Sequence, residues 1–387
     1  MPWKLGLCLA GALGCASPAE VTLVTVETVS GAATYASVDT SELAPPGAVV
    51  ALAGGDGALH AGTEDGLHRY GFLGWEDVEV LALEGEPTTT GVVADVMSRG
   101  DGVFVRAEQG LFYSEEGVLI PSNLLVGFGE LAVLDVAVDG QGADEVAWVA
   151  TEDGVRRIDA SGADIIAIPG VTDLVKHVAA ADGVVALATG SRVFAVDTAT
   201  LTFDELQAEH GLVHGASGGG GAICIATDGG VLERDASGVW RLYVLEAPVF
   251  EARPDGQGGC VAAQPEGVLQ TASGAVGGFA LDVAPERLGV DPFGQIWSAG
   301  GGDLTVLQVG DPPSFADDVA PLLSDHCSFC HAGGVAAPER DFGDYGEVAA
   351  LGSDIFVRVN SMQMPPGGLD AEPLEILNAW FNAGMMP

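Results

Sequence analysis

Val146-Ala147-Trp148-Val149-Ala150-Thr151-Glu152-Asp153-Gly154-Val155-Arg156-Arg157-Ile158-Asp159 is the stretch on which the fold turns. An apolar run rich in β-branched residues leads into Glu-Asp-Gly, and a second, alternating run follows. Such runs favour pleated backbone, and Asp-Gly supplies the conformations a tight hairpin needs. Working outward, Leu131–Val138 and Ile165–Ile168 are further apolar or alternating runs, separated from the central pair Glu145–Thr151 and Gly154–Asp159 by Asp139-Gly140 and Ser161-Gly162 turn signals. The unit predicts four short antiparallel strands.

The unit recurs. Its hairpin anchor is found at Gly66, Gly110, Gly154, Arg192, Gly230, Gly267 and Asp303, each followed by an apolar residue, with spacings of 44, 44, 38, 38, 37 and 36 residues. Seven units of this length predict a seven-bladed β-propeller over 21–310. Thr63, Thr151, Thr189 and Thr227 stand three places before their anchors; Gly62, Ala150, Ala188, Ala226, Ala263 and Ala299 stand four before. A small residue there suits blades converging on a narrow axis. The second unit departs from the pattern, with Arg106 at that place. The last unit is one strand short, and the spare run Val21–Thr28 is expected to complete it as the outermost strand and close the ring.

Segments such as 146–159 and Gly62-Thr63-Glu64-Asp65-Gly66-Leu67-His68-Arg69-Tyr70 resemble the blade repeat of propellers in the sensor regions of two-component regulators. That resemblance implies a fold rather than an activity.

From Ser314 the texture changes after Pro312-Pro313, so a small all-α domain is expected over 311–387. Ser314 is placed as an N-cap, Phe315, Val319, Leu322 and Leu323 form an apolar face, and Pro321 predicts a kink or late start. Cys327-Ser328-Phe329-Cys330-His331 follows. Cys-x-x-Cys-His is the attachment pattern of c-type haem: Cys327 and Cys330 would form thioethers, and His331 would ligate the iron. A zinc site would need a second ligand pair at similar spacing, which the sequence lacks. Met364, in Met362-Gln363-Met364-Pro365-Pro366, is the expected sixth iron ligand, because a thioether opposite histidine suits electron transfer. Met362, Met385, Met386 and His326 compete with it, and a packing role is its plain alternative. A helix over 371–383, started by Asp370, ends the chain before Gly384.

Phe315, Val319, Pro321, Leu322, Cys327, Cys330, His331, Arg358, Met364, Pro365, Pro366, Trp380 and Gly384 together resemble a compact bacterial cytochrome c domain. The resemblance implies haem c as cofactor and an Arg358 contact to a haem propionate; a solvated arginine is the alternative.

Residues 1–15 read as a targeting segment, with Lys4 before a short apolar run. Its end, Ala12-Leu13-Gly14-Cys15-Ala16-Ser17, resembles a bacterial lipoprotein signal, which implies lipidation of Cys15; ordinary secretion with cleavage nearby is the alternative. Either implies an exported protein, periplasmic or at the cell surface. No apolar run approaches the ~20 residues of a membrane-crossing helix.

Fourteen Lys and Arg against fifty-five Asp and Glu leave a net charge of -41. This disfavours nucleic acid and suits a basic redox partner. Asp-Gly pairs in the repeats are hairpin turns rather than calcium loops, since the Asp-x-Asp-x-Asp-Gly spacing is missing. His210 and His214 read as loop residues. Cys224 and Cys260 lie six and seven residues before their anchors, hence on opposite faces of corresponding strands, which predicts two separate buried thiols.

The functional expectation is single-electron transfer through His331/Met364-ligated haem, with the propeller as a ligand- or protein-docking platform. A dehydrogenase whose propeller site feeds the haem is the alternative, though Trp75, Trp148, Trp240 and Trp297 are few for a quinone-cofactor propeller. A ligand or redox sensor is the third reading.

Overall fold

Thr151 lies opposite Gly154 across the predicted turn, and Val146–Thr151 pairs antiparallel with Gly154–Asp159. Val133–Asp139 and Gly162–Ile166 flank them, so the opening stretch is the middle of a four-stranded sheet. The computed structural model describes residues 21–25, 35–39 and, with short gaps, 45–380; the longer gaps are 82–88, 122–132, 140–145 and 332–341.

Seven such sheets follow in chain order among the described residues, and the chain is a seven-bladed β-propeller. Gly66, Gly110, Gly154, Gly230 and Gly267 have φ between 129° and 149°, which explains the glycine anchors. The recurrent threonines have a separate role. The hydroxyls of Thr63, Thr151 and Thr227 donate to the anchor carbonyls at 3.2, 2.9 and 2.8 Å, and Thr189 donates to Arg192 at 3.5 Å. All four threonines are buried, so the hairpin both satisfies the hydroxyl and is tied by it.

The core is divided among seven apolar clusters, one between each pair of successive blades. Leu52 and Leu59 of the first blade pack with Trp297 and Val306 of the seventh, so burial runs unbroken around the ring. The Trp297 ring meets Tyr70 edge-on at 5.1 Å between centroids.

Three expectations are corrected. Tyr35–Asp39, not 21–28, supplies the fourth strand of the seventh blade, antiparallel to Asp303–Val309. Val21–Thr25 instead lies parallel to Trp240–Val244 as a fifth strand on the fifth blade. Both segments carry strand-forming residues, and which outer edge each fills depends on chain direction and on the faces available. Val21 and Val24 pack against the clusters on either side of that blade, while Leu23 is exposed.

The second blade is in step. Asp95 pairs with Arg106 at the same place that Ala51 pairs with Gly62, Asp135 with Ala150 and His177 with Ala188. Arg106 is therefore an exchange of residue at a regular position rather than a slip of register. At the matching Gly62, a Cβ would come within 2.4 Å of Val93 Cγ1, which shows how tightly blades meet there.

Cys224 and Cys260 form a disulfide, with Cα atoms 5.8 Å apart. Their placement on opposite faces is the reason they meet. In a ring of stacked sheets the forward face of one blade looks at the backward face of the next, so opposite faces of successive blades are partners.

In the helical region the Ser314 hydroxyl accepts the Asp317 N–H at 3.0 Å, as an N-cap should. Phe315–Val319 is wound as a π-helix and Ala320–His326 as an α-helix, with Pro321 at the start of the latter. Phe315, Val319, Leu323, Val348, Leu377 and Trp380 are among the residues of its own apolar core. No helix among the described residues is long and apolar enough to cross a membrane.

Candidate functional site

Cys327 ends the Ala320–His326 helix, and Ser328–His331 makes one further turn. The N–H groups of Cys330 and His331 both donate to the Cys327 carbonyl, at 3.2 and 3.3 Å. This turn gathers two thiols and an imidazole within five residues. Neither cysteine is in a disulfide. Cys327 packs against the helical core, and burial followed by the neighbouring Cys330 pushes its thiol up to about 11. The His331 ring stands edge-on to Phe342 at 5.4 Å. Phe329, between the cysteines, is 94% exposed.

Met364 sits on a separate turn, half exposed. Its N–H and that of Gln363 donate to the Arg358 carbonyl at 3.1 and 2.8 Å, so Arg358 holds the methionine turn through its backbone. Its guanidinium belongs to an exposed residue. The donor set of two unpaired thiols, an imidazole and an accessible thioether suits a covalently held haem. Residues 1–15 with Cys15, and Met362, Met385 and Met386, lie outside the described residues.

The propeller contains a second site that sequence reasoning missed. A cavity of about 310 Å³ runs along the axis, lined by the innermost strand of every blade. Four of those strands start with an irregularity in pairing, at Val49/Ala51, Val93/Asp95, Val133/Asp135 and Val213/Gly215, and the other three begin their pairing at the equivalent residue, His177, Glu251 or Arg287. That position carries Asp95, Asp135, His177, Glu251 or Arg287 in five blades and Ala51 or Gly215 in two. A charged residue 15–19 places before the hairpin anchor was the available signal.

Two of these acids staple neighbouring blades. Asp135 accepts the Val136 and Val178 N–H groups, each at 2.9 Å, and Glu251 accepts that of Leu288 at 2.9 Å. Arg253 is engaged by Glu251 at 2.7 Å and, across the channel, by Asp95 at 3.5 Å. His177 Nδ1 lies 3.9 Å from Asp135. Burial first, and the charge of Asp95 second, raise the Asp135 carboxyl to about 8. Burial and then Lys176 lower His177. Burial thus drives both groups toward their neutral forms.

The sign of this effect sets a test. A carboxyl at about 3.9 in the unfolded chain and about 8 in the fold binds its proton more tightly when folded. Its contribution falls as pH rises from about 4 to about 8. Urea unfolding midpoints should therefore decline across that window, and the decline should be shallower in Asp135→Asn; parallel profiles would count against it.

His210 and His214 do not form one site: His210 Nδ1 contacts its neighbour's Gly211 carbonyl at 3.0 Å, and His214 bonds Asp228 at 2.7 Å. No group of three or more His, Cys, Asp or Glu able to hold a metal ion occurs among the described residues.

No protein-family model matches the chain, and neither does any curated protein. Among solved structures it is similar to the extracellular domain of a hybrid two-component system from B. thetaiotaomicron. The identity is 13% and the TM-score 0.51, over 70% of this chain and 41% of that one. It is also similar to streptogramin B lyase, at 11% identity and a TM-score of 0.52, over 72% of this chain and 98% of that one. At these identities the likeness concerns the propeller fold.

Proposed function

We propose that this chain is an exported c-type cytochrome that transfers single electrons through a haem bound covalently by Cys327 and Cys330. His331 and Met364 would ligate its iron, the helical region 311–387 would be its haem domain, and Arg358 would contact a propionate. The observation that carries this reading is the single helical turn that presents two unpaired thiols and His331 together. Haem would supply the redox couple; the chain's own residues would fix it, set its potential through the thioether of Met364 and shield it with the Phe315–Trp380 core. The propeller serves as a docking or ligand-binding platform. Its net acidity suits a basic redox partner, and the N-terminal segment, through Cys15, suits a lipid anchor outside the cytoplasm.

The test is to express the full chain in an exporting host equipped for haem attachment. The reduced protein should show a c-type absorption band, and Met364→Ala should lower the reduction potential and alter the oxidised spectrum. A reduced spectrum without that band sinks the proposal; an unchanged potential in Met364→Ala removes Met364 as ligand.

A further inference from the structure

Arg106 occupies a place where the other six blades carry Gly or Ala, at the point where blades converge on the axis. Its backbone is in register, so the exchange is one of side chain alone. The residue lines the channel. Its Nε is buried with no hydrogen-bond partner, and Arg106 makes no ion pair among the described residues. The chain has fifty-five acidic residues, and a buried guanidinium nitrogen without a partner is costly. The nearby acids give it no close ion pair, although Asp135 feels its charge through space. Asp95 and Glu251 are directed at Arg253, and Asp135 spends both oxygens on backbone N–H groups.

The local balance of charge also differs from the chain's. Arg106, Arg253 and Arg287, three of its fourteen Lys and Arg, line this one cavity. The negative charge of the outer surface is screened beyond about 8–10 Å at physiological salt, so the balance inside the channel is set by its own groups: three arginines against Asp95, Asp135 and Glu251, with Arg253 held by two of those acids. At about 310 Å³ the cavity lies at the small end of ligand pockets, roughly 300–1,000 Å³.

We infer that the propeller channel binds a small organic carboxylate, with the Arg106 guanidinium as its anchor. A planar guanidinium matches a carboxylate through paired N–H donors, whereas a neutral amide of the same shape offers no charge to meet it. The inference rests on the part of the functional reading that makes the propeller a ligand platform, and not on the haem.

Calorimetric titration and thermal unfolding of the full chain test it, with acetate, succinate and citrate as probes and succinamide as the uncharged control. At least one carboxylate should bind and raise the unfolding midpoint, and succinamide should do neither. Arg106→Ala should weaken binding about tenfold or more, the loss of a charge-assisted pair. That variant restores the small residue of the other blades, so it should fold; Arg106→Lys, which keeps the charge but not the fork, should retain part of the affinity. Absence of binding by all three carboxylates, equal binding of succinamide, or undiminished binding in Arg106→Ala would overturn the inference. The readouts do not involve haem, so a failed haem attachment leaves the channel result intact, and the reverse holds.

Discussion

A Cys327→Ala/Cys330→Ala variant of the exported full-length chain is expected to carry no haem through denaturing electrophoresis, where the parent chain carries one. Covalent attachment needs both a nucleophilic sulfur and a reach to the vinyl group, and the one-turn spacing supplies two sulfurs on a common carbonyl anchor. The thiols must also stay reduced until haem arrives. Burial, then the neighbouring Cys330, hold Cys327 as a thiol with its ionisation pushed up to about 11, and the thiolate is the form that exchanges and oxidises. Each single variant should keep one thioether and a shifted reduced band. Removing His331 should leave attachment possible but change ligation. Haem staining of the denatured double variant at the parent's intensity would sink the assignment. A variant lacking Cys224 and Cys260 provides the control, because it should keep its haem.

That control carries the second large effect. The Cys224–Cys260 bond closes a loop with a sequence separation of 36 and ties the fifth blade to the sixth. Chain-entropy arguments put the loss of such a cross-link at about 3–4 kcal/mol. Both sulfurs are fully buried in the cluster between those blades, so two cavities' worth of packing is disturbed as well. Cys224→Ala/Cys260→Ala should therefore unfold at a markedly lower guanidinium concentration than the oxidised parent. Because neither sulfur is exposed, a reductant should act on the unfolded chain far faster than on the folded one. Alkylation of Cys224 or Cys260 in the native, non-reduced protein, read by peptide mapping, or an unchanged midpoint, would contradict the bond.

The history of that pair shows what a linear reading can and cannot supply. Counting from the anchors placed the two cysteines on opposite faces, which is correct. What the count lacks is that successive blades turn opposite faces toward one another, a property of the closed ring. The closure strand fails for a related reason. Val21–Thr25 and Tyr35–Asp39 are both strand-like, and edge pairing is decided by direction and by the clusters available to each, not by composition. Arg106 is the reverse case: it was visible as an irregularity, and only the pairing of Asp95 with Arg106 shows that the register holds and the side chain differs.

The sequence by itself determined the blade count, the hairpin anchors, the N-cap at Ser314 and the Cys-x-x-Cys-His turn. Each depends on local physics: alternation along a strand, left-handed glycine at a turn, a hydroxyl within three residues of its partner. Tertiary structure alone decided which strand closes the ring, that Cys224 meets Cys260, and that Asp95, Asp135, His177, Glu251 and Arg106 share one channel. Those residues lie far apart along the chain. They come together because seven sheets close around an axis, and that closure is set by packing between blades rather than by any one stretch of sequence.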